Sequence, residues 1–486
     1  MNDSIFWHDY ETFGANPKVD RPAQFAGVRT DFDLNIVSEP VTIYCQPSDD
    51  YLPNPEACLI TGITPQFAAR NGVSEFEFIS TINEIFSQPG TCVAGYNSIR
   101  FDDEVTRYAL YRNLFDPYAR EWQNGNSRWD VIDLVRLVYV LQPEAIIWPR
   151  KEDGAPSFRL EELTAENGIG HTQAHDAMSD VYATIELARL IKQRCPELYD
   201  FVFQHRLKRK VQQLLHDNAN KPLLHVSSRY PASVGSCAVV YPLARHPVNN
   251  NGVVVFDLRQ SPELLYTKTV EEIRLAVFTA REDLPEGVER IGLKTVHINK
   301  CPVLAPTSMM AKLSSDHLSA LNLNGSVLRE HIHTLRSNPS LEEKIQEVFN
   351  DPALADRFKE SDPEFMLYSG GFFDDHDKRM MSQVRALLVN GNSPVGINFH
   401  DSRLAELVFR LKARNFPDLL EEDEYERWER HKRNRLFSGT GTQDGLLGFD
   451  AFFSTLEGLA VQSQMKENDR HILEELKYYA ESIFPY

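Results

Sequence analysis

No Cys-x-x-Cys pair occurs in this chain. Its six cysteines, Cys45, Cys58, Cys92, Cys195, Cys237 and Cys301, lie far apart. That scatter excludes a zinc-ribbon site and a disulfide framework, and makes a reducing cytoplasm the expected location. No uninterrupted apolar run of about 18 residues exists, so no membrane-spanning helix is expected. The opening Met1-Asn2-Asp3-Ser4 carries neither a basic region nor a small-residue cleavage site, so no signal peptide is expected. Internal repeats and low-complexity tracts are also lacking. Basic residues are scarce: 51 Lys and Arg stand against 70 Asp and Glu, a net charge of −19. Taken alone, that balance argues against a nucleic-acid partner, because a phosphate-binding surface wants Lys and Arg. Two local basic runs, 205–210 and 427–435, each read as a solvated helix face.

What is present is enough apolar material for several cores. Hydrophobic residues make up 42% of 486 residues, and a working range of about 100–200 residues per domain gives two to four domains. Residues 1–195 mix strand-like segments (4–8, 41–45, 91–95) with helix-like ones (76–86, 102–114, 131–141, 177–194), which predicts a layered α/β domain. Cys195-Pro196 should end the last of these helices. A basic connector follows. From 221 to about 306, short apolar runs at 223–226, 237–241, 252–257 and 296–298 are separated by Pro, Asn and Gly turns, with a helix at 270–278, which predicts a small β-rich domain. Beyond 306 nearly every segment has helical periodicity. The expected division is therefore 1–195, 196–348 and 349–486: α/β, then β, then α. Gly439-Thr440-Gly441 lacks the spacing of a dinucleotide loop and reads as a linker.

Three segments hold acids in telling surroundings. Asp9-Tyr10-Glu11 lies on the first apolar strand, whose period of two puts both carboxylates on one face. Phe101-Asp102-Asp103-Glu104 follows the apolar segment 91–95. His175-Asp176-Ala177-Met178-Ser179-Asp180 opens a long helix. Each is weak alone. Asp-x-Glu is usually a surface pair, the second is an ordinary acidic helix start, and Asp176 is a ready N-cap. Their joint appearance in this order suits phosphodiester hydrolysis. That reaction builds negative charge on an anion, which two hard divalent ions about 4 Å apart stabilise, with carboxylates as their natural ligands. Two such ions match the four formal negative charges of Asp9, Glu11, Asp102 and Asp180. A nearby histidine can accept the proton of the attacking water.

The ordered set Asp9, Glu11, Asp102, Asp180 with His175 resembles the DEDD exonucleases of the histidine-containing subgroup. Within these, the stretches 8–14, 20–25, 59–65, 100–104 and 174–178 are similar to the bacterial exonuclease I family, as are 297–302, 371–373 and 413–417. The resemblance spans nearly the whole chain. It implies an RNase H-like DEDD exonuclease domain, an SH3-like β-rich domain and a C-terminal helical domain that together enclose a strand. It also implies Mg²⁺-dependent (Mn²⁺ being the alternative), processive degradation of single-stranded DNA from its 3′ end to 5′-mononucleotides, in DNA repair and recombination. The partners it implies are single-stranded DNA and single-stranded DNA-binding protein, with the enzyme a monomer and no membrane involved.

On this reading Asp9 bridges both metals, Glu11 and Asp180 complete the first site, Asp102 holds the second and His175 is the general base. The resemblance implies strand contacts at Arg107, Tyr118, Trp122, Arg136, Arg159 and Lys208, with Glu11 also touching substrate. Arg159 is the foremost phosphate ligand, since Arg can chelate phosphate with two parallel bonds. Acid spacing does not separate DNA from RNA, so a 3′ exoribonuclease with the same chemistry is the nearest alternative. A catalytically inactive single-strand-binding scaffold is a remoter one.

Overall fold

The computed structural model describes residues 3–170, 176–338, 341–351, 360, 362–437, 445–461 and 466–485. It divides into two compact units: Met1–Ser127 with Thr172–Tyr182 and Phe358–Tyr486, and Arg128–His171 with Ala183–Arg357.

In the first unit, strands β1 (Ser4–Thr12), β2 (Pro22–Thr30), β3 (Val41–Tyr44) and β4 (Thr91–Gly95) lie in the order β3-β2-β1-β4. β1 runs antiparallel to β2 and parallel to β4. Periodicity did not predict β2. Its sequence, Pro-Ala-Gln-Phe-Ala-Gly-Val-Arg-Thr, has proline at the first position, where a ladder tolerates it, and is buried almost throughout. Gly27 within it is required by close approach: a Cβ there would lie 2.4 Å from the Phe6 ring and 2.7 Å from the Trp7 carbonyl oxygen. Phe6 and Tyr10 point from β1 into an aromatic core with Phe25, Phe78 and Phe86. Asp9 and Glu11 fall on the opposite face.

The C-terminal helices of this unit, Asp375–Val389, Arg403–Asn415, Glu422–Phe437, Phe449–Ala460 and Glu467–Ser482, share two apolar cores with N-terminal residues. Phe13, Ala23 and Leu52 pack with Phe452, Ile472 and Leu476. Phe76, Tyr108 and Leu114 pack with Met381, Leu404 and Leu411. The basic run 427–435 is not a plain solvated face. Lys432 and Arg435 turn inward, because Asp49 lies 2.9 Å from Lys432 and Glu364 3.2 Å from Arg435.

β5 (Ser127–Asp130) carries the chain into the second unit. There β6 (Leu223–Val226), β7 (Cys237–Arg245), β8 (Gly252–Asp257), β9 (Leu293–His297) and β10 (Val303–Pro306) form an antiparallel sheet in the order β10-β6-β7-β8-β9. Alternate valines and leucines, among them Leu223, Val240, Val255 and Val296, fill its core with Val211 and Leu214. The Val270–Phe278 helix opens on a capping box of Thr269 and Glu272. The Ala177–Arg194 helix starts in the first unit and runs into the second. Pro196 then begins a new helix, Pro196–His205, at the position where its missing N–H costs nothing. All six cysteines are free. No described helix is long and apolar enough to cross a membrane.

Candidate active site

β4 pairs with β1 only as far as Trp7, which lies opposite Ala94. β1 continues past that point, so Asp9, Tyr10 and Glu11 extend beyond the carboxyl end of β4, where open α/β sheets form their crevices. The exit from β4 is tight. A Cβ on Gly95 would lie 2.9 Å from the His8 carbonyl oxygen, and Asn97 turns the chain with φ 59° into the Asp102–Arg112 helix. Asp102, first in that helix, accepts the Tyr10 amide at 3.2 Å, taking a backbone donor that β4 leaves unused. Thr106 holds the pair in place: its hydroxyl donates to the Asp102 carbonyl at 2.9 Å and lies 2.9 Å from the Tyr10 hydroxyl. Asp180 comes from the first turn of the Ala177–Arg194 helix. Ligand atoms of Asp9, Glu11 and Asp180 all lie within 4.8 Å of one another.

Burial pushes the Asp9 carboxyl well above its usual range, and Asp102, Glu11 and Asp180 push it further. Glu11 is pushed up to about 8, by burial first and then by Asp180, Asp102 and Asp176. After burial, each acid feels most strongly the other acids. Crowded carboxyl oxygens with a shared charge problem are a fitting donor set for hard divalent cations, which prefer oxygen and would restore the ionised forms. Asp9, Glu11, Asp180 and Asp102 could hold such ions. His8, beneath the site, is forced down to about 3 by burial and is therefore neutral.

The structure brings Asp9, Glu11 and Asp180 to ligand spacing, with Asp102 close enough to press on Asp9 and Glu11 while its Oδ1 accepts the Tyr10 amide. His175 lies outside the described residues, as does the 439–441 linker. Asp176 caps its helix, accepting the Ser179 amide at 3.3 Å, and also accepts from Gln24 Nε2 at 3.4 Å. Gln24 pairs with Glu11 in the β1–β2 register, so a β2 side chain ties the helix start to the site. Sequence reading assigned Gln24 no role, and only its place opposite Glu11 could have suggested one. Behind Asp102, Asp103 pairs with the fully buried Arg120 at 2.6 Å.

The predicted strand contacts fall into two groups. In the first unit, Trp122 is 66% exposed, and the Tyr118 ring meets Phe372 edge-on at 5.7 Å. Arg107 is buried, with its donors engaged: Nε and Nη2 go to the two oxygens of Glu121, and Nη1 goes to Glu104 and the Tyr368 hydroxyl. In the second unit, Arg159 is 70% exposed beside Glu162, and Lys208 is exposed at the start of the Lys208–Asp217 helix. Arg136 is buried and donates to Asp133 at 2.6 Å. A separate grouping of Asp374, Asp377 and His400 also has ligand-like spacing. Its carboxylates serve the backbone: Asp374 accepts the Asp377 amide, and Asp377 accepts those of His400 and Asp401.

Comparison with known proteins gives three family matches in order along the chain: Exonuclease over residues 6–188, Exonuclease I SH3-like domain over 206–351, and Exonuclease I C-terminal domain over 361–483. The exonuclease domain implies dependence on a divalent metal. The exodeoxyribonuclease I of Haemophilus influenzae is 45% identical over 435 residues, 89% of this chain and 90% of that protein. A solved exonuclease I from Methylocaldum szegediense is 49% identical with a TM-score of 0.92, over 99% of this chain and 100% of that one. The zinc-bound form of an E. coli exonuclease I complex with single-stranded DNA is 42% identical with a TM-score of 0.90, over 99% of this chain and 100% of that one. With its acids gathered beyond the carboxyl end of β4 and nearly its whole length matched, the chain belongs to the exonuclease I family.

Proposed function

We propose that this exonuclease hydrolyses single-stranded DNA from the 3′ end and releases 5′-mononucleotides, using two Mg²⁺ ions. The observation that carries this reading is the close placement of Asp9, Glu11 and Asp180, with Asp102 adding to the pressure on Asp9 and Glu11, a set whose joint ionisation calls for divalent cations. Asp9 would serve both ions, Glu11 and Asp180 would complete the first site, and Asp102 would hold the second. When bound, such ions stabilise the charge that grows on the attacking and leaving oxygens. The chain's own residues do the positioning. Tyr10 and Thr106 fix Asp102, and Gln24 and Asp176 fix the helix that carries Asp180. His175 is the proposed base on its place in the motif.

The substrate class draws support from the E. coli relative solved with single-stranded DNA and from an exposed Trp122 beside Tyr118, the type of aromatic surface on which bases stack. Arg159, exposed although it pairs with Glu162 at 3.7 Å, and the exposed Lys208 supply positive charge within reach of phosphate. Three functional parts, 1–195, 196–348 and 349–486, a role in DNA repair and recombination, a monomeric cytoplasmic enzyme and docking of single-stranded DNA-binding protein complete the reading, on family resemblance. The test offers 5′-labelled oligonucleotides as single-stranded DNA, duplex DNA and RNA, with Mg²⁺ and then with EDTA. Stepwise shortening of single-stranded DNA alone, with metal alone, is expected. Equal shortening of RNA overturns the DNA assignment, and shortening in EDTA overturns the role of the metal.

A further inference from the structure

The Asp102–Arg112 helix presents a proposed metal ligand from its first residue, yet it starts without the usual cap. Phe101 stands at the N-cap position and has no side-chain oxygen for the free amides. Asp102 is turned elsewhere, with its Oδ1 accepting the Tyr10 amide. The helix start therefore takes its geometry partly from groups outside the helix. One of these grips Asp103, the residue next to the ligand. Asp103 is buried, and Arg120 Nη2 donates to its Oδ1 at 2.6 Å.

Arg120 is itself held firmly. It comes from the short Ala119–Glu121 turn, which Asp116 fixes by accepting the amides of Tyr118 and Ala119 at 2.9 and 3.1 Å. Its guanidinium carbon lies 5.0 Å over the ring of Phe86, part of the aromatic core beneath β1. The other ionisable groups close by do not replace either partner. Glu121 lies 3.9 Å from Arg120, but both of its oxygens accept from Arg107. His8 is neutral. A buried ion pair seldom stabilises a fold more than apolar side chains of the same volume would. What apolar side chains lack is direction. This pair fixes Asp103 at hydrogen-bond length from a clamped cation, one residue from Asp102.

We infer that Arg120 is a positioning residue for the metal-dependent reaction: through Asp103 it sets the start of the Asp102–Arg112 helix, and with it the reach of the Asp102 carboxylate toward the second ion. The inference rests on the two-ion reading above. Groups that orient a metal ligand from behind commonly account for roughly 10–100-fold in metal affinity. The neighbouring Trp122, on the same stretch of chain, faces solvent instead, so adjacent residues serve the metal and the strand separately.

The test compares two full-length variants with wild type, each first melted in EDTA to show that it folds. Asp103→Leu with Arg120→Met replaces the pair by apolar side chains of similar size, which should keep Tm near that of wild type while removing the directed hold. Arg120→Lys keeps the cation and can make an equivalent bond to Asp103. Mn²⁺ stands in for Mg²⁺, because its binding is read without turnover from the paramagnetic resonance of the free ion. In the double variant, the Mn²⁺ that half-saturates binding and hydrolysis should rise about tenfold or more, at an unchanged KM for single-stranded DNA, whereas Arg120→Lys should stay within about threefold of wild type. A folded double variant with wild-type Mn²⁺ binding and turnover makes the pair an ordinary part of the core and overturns the proposal. A folded Arg120→Lys as impaired as the double variant overturns it too, because the paired charge is then not what holds Asp103. Should the double variant not fold, Asp103→Asn takes its place. Its amide fits the same space with a weaker, uncharged bond, so a rise of about threefold is expected and no rise overturns the proposal. Wild-type hydrolysis in EDTA is a different failure: it removes the metal reading and this proposal together.

Discussion

The first unit holds two buried carboxylate clusters of opposite character. Around Glu364 and Asp50, burial alone would push the acids up, but Arg414 with Arg21 and Arg435 overcomes it and holds both well below the usual carboxylate range. Around Asp9 and Glu11, burial also pushes up, and the neighbouring acids push the same way. One cluster is compensated within the chain. The other is left for something that is not protein. Low dielectric strengthens both effects equally, so the choice of neighbours decides which cluster stabilises the fold and which one waits for a ligand.

The largest expected effect tests the uncompensated side. Asp9→Asn removes a proposed shared ligand, and turnover on single-stranded DNA should fall by at least about 10³-fold. The same change relieves repulsion, so the metal-free protein should melt higher than wild type. A variant that melts lower in EDTA would place Asp9 with the compensated acids. Glu364→Gln is the mirror experiment. It strips one charge from a carboxylate that meets Arg21 at 2.7 Å, Arg414 at 2.8 Å, Arg410 at 3.1 Å and Arg435 at 3.2 Å. Breaking such a group should lower stability by about 3–5 kcal/mol in denaturant titration, and it should leave KM untouched at temperatures where the protein stays folded.

The contrast in legibility follows the same line. Asp9, Glu11, Asp102 and Asp180 could be picked out because each sits in a short motif whose local structure, strand or helix start, is set by near neighbours. Glu364 could not. Its partner Arg21 is 343 positions away, and nothing local distinguishes Glu364 from any surface acid. β2 was missed for a related reason. Proline and glycine mark it as a loop by propensity, yet tertiary packing against Phe6 and Trp7 makes glycine mandatory. Arg107 and Arg136 were legible as cations between the second and third motifs. Their commitment to Glu121 and Asp133 was not, because a charge reads the same whether it is spent or free.

Acidity separates the two clusters by the sign of their pH dependence. Glu11 has its folded pKa raised from 4.5 to about 8, so between those values the folded protein binds more protons than the unfolded chain. Stability in EDTA should therefore fall as pH rises from about 4.5 to 8, by on the order of a few kcal/mol. Saturating Mg²⁺ should flatten that slope. Glu364 and Asp50, with depressed values, contribute stability that is present above their unfolded pKa and lost as pH drops through their folded ones. The metal-free enzyme should accordingly show a stability maximum on the acidic side of neutrality, moving to higher pH with metal. Unfolding midpoints at pH 5 and pH 8, with and without Mg²⁺, read both limbs. A midpoint in EDTA that is higher at pH 8 than at pH 5 would break the comparison.

Trp122 belongs to neither cluster, and that makes it the finest test. It is 66% exposed, carries no charge and lies close in sequence to Glu121, which holds Arg107. Removing an exposed aromatic with few packing contacts should shift stability by no more than about 0.5 kcal/mol. If bases stack on it, Trp122→Ala should weaken single-stranded DNA binding by about 1 kcal/mol, near the low end for base–aromatic stacking, or roughly fivefold in KM at unchanged kcat. The slope of binding against salt should stay as it is, because no phosphate contact is lost. A fall in kcat would tie Trp122 to the four acids, and a fall in Tm would tie it to the Arg107 ion pairs. Only a change confined to KM leaves the indole as a platform for the strand.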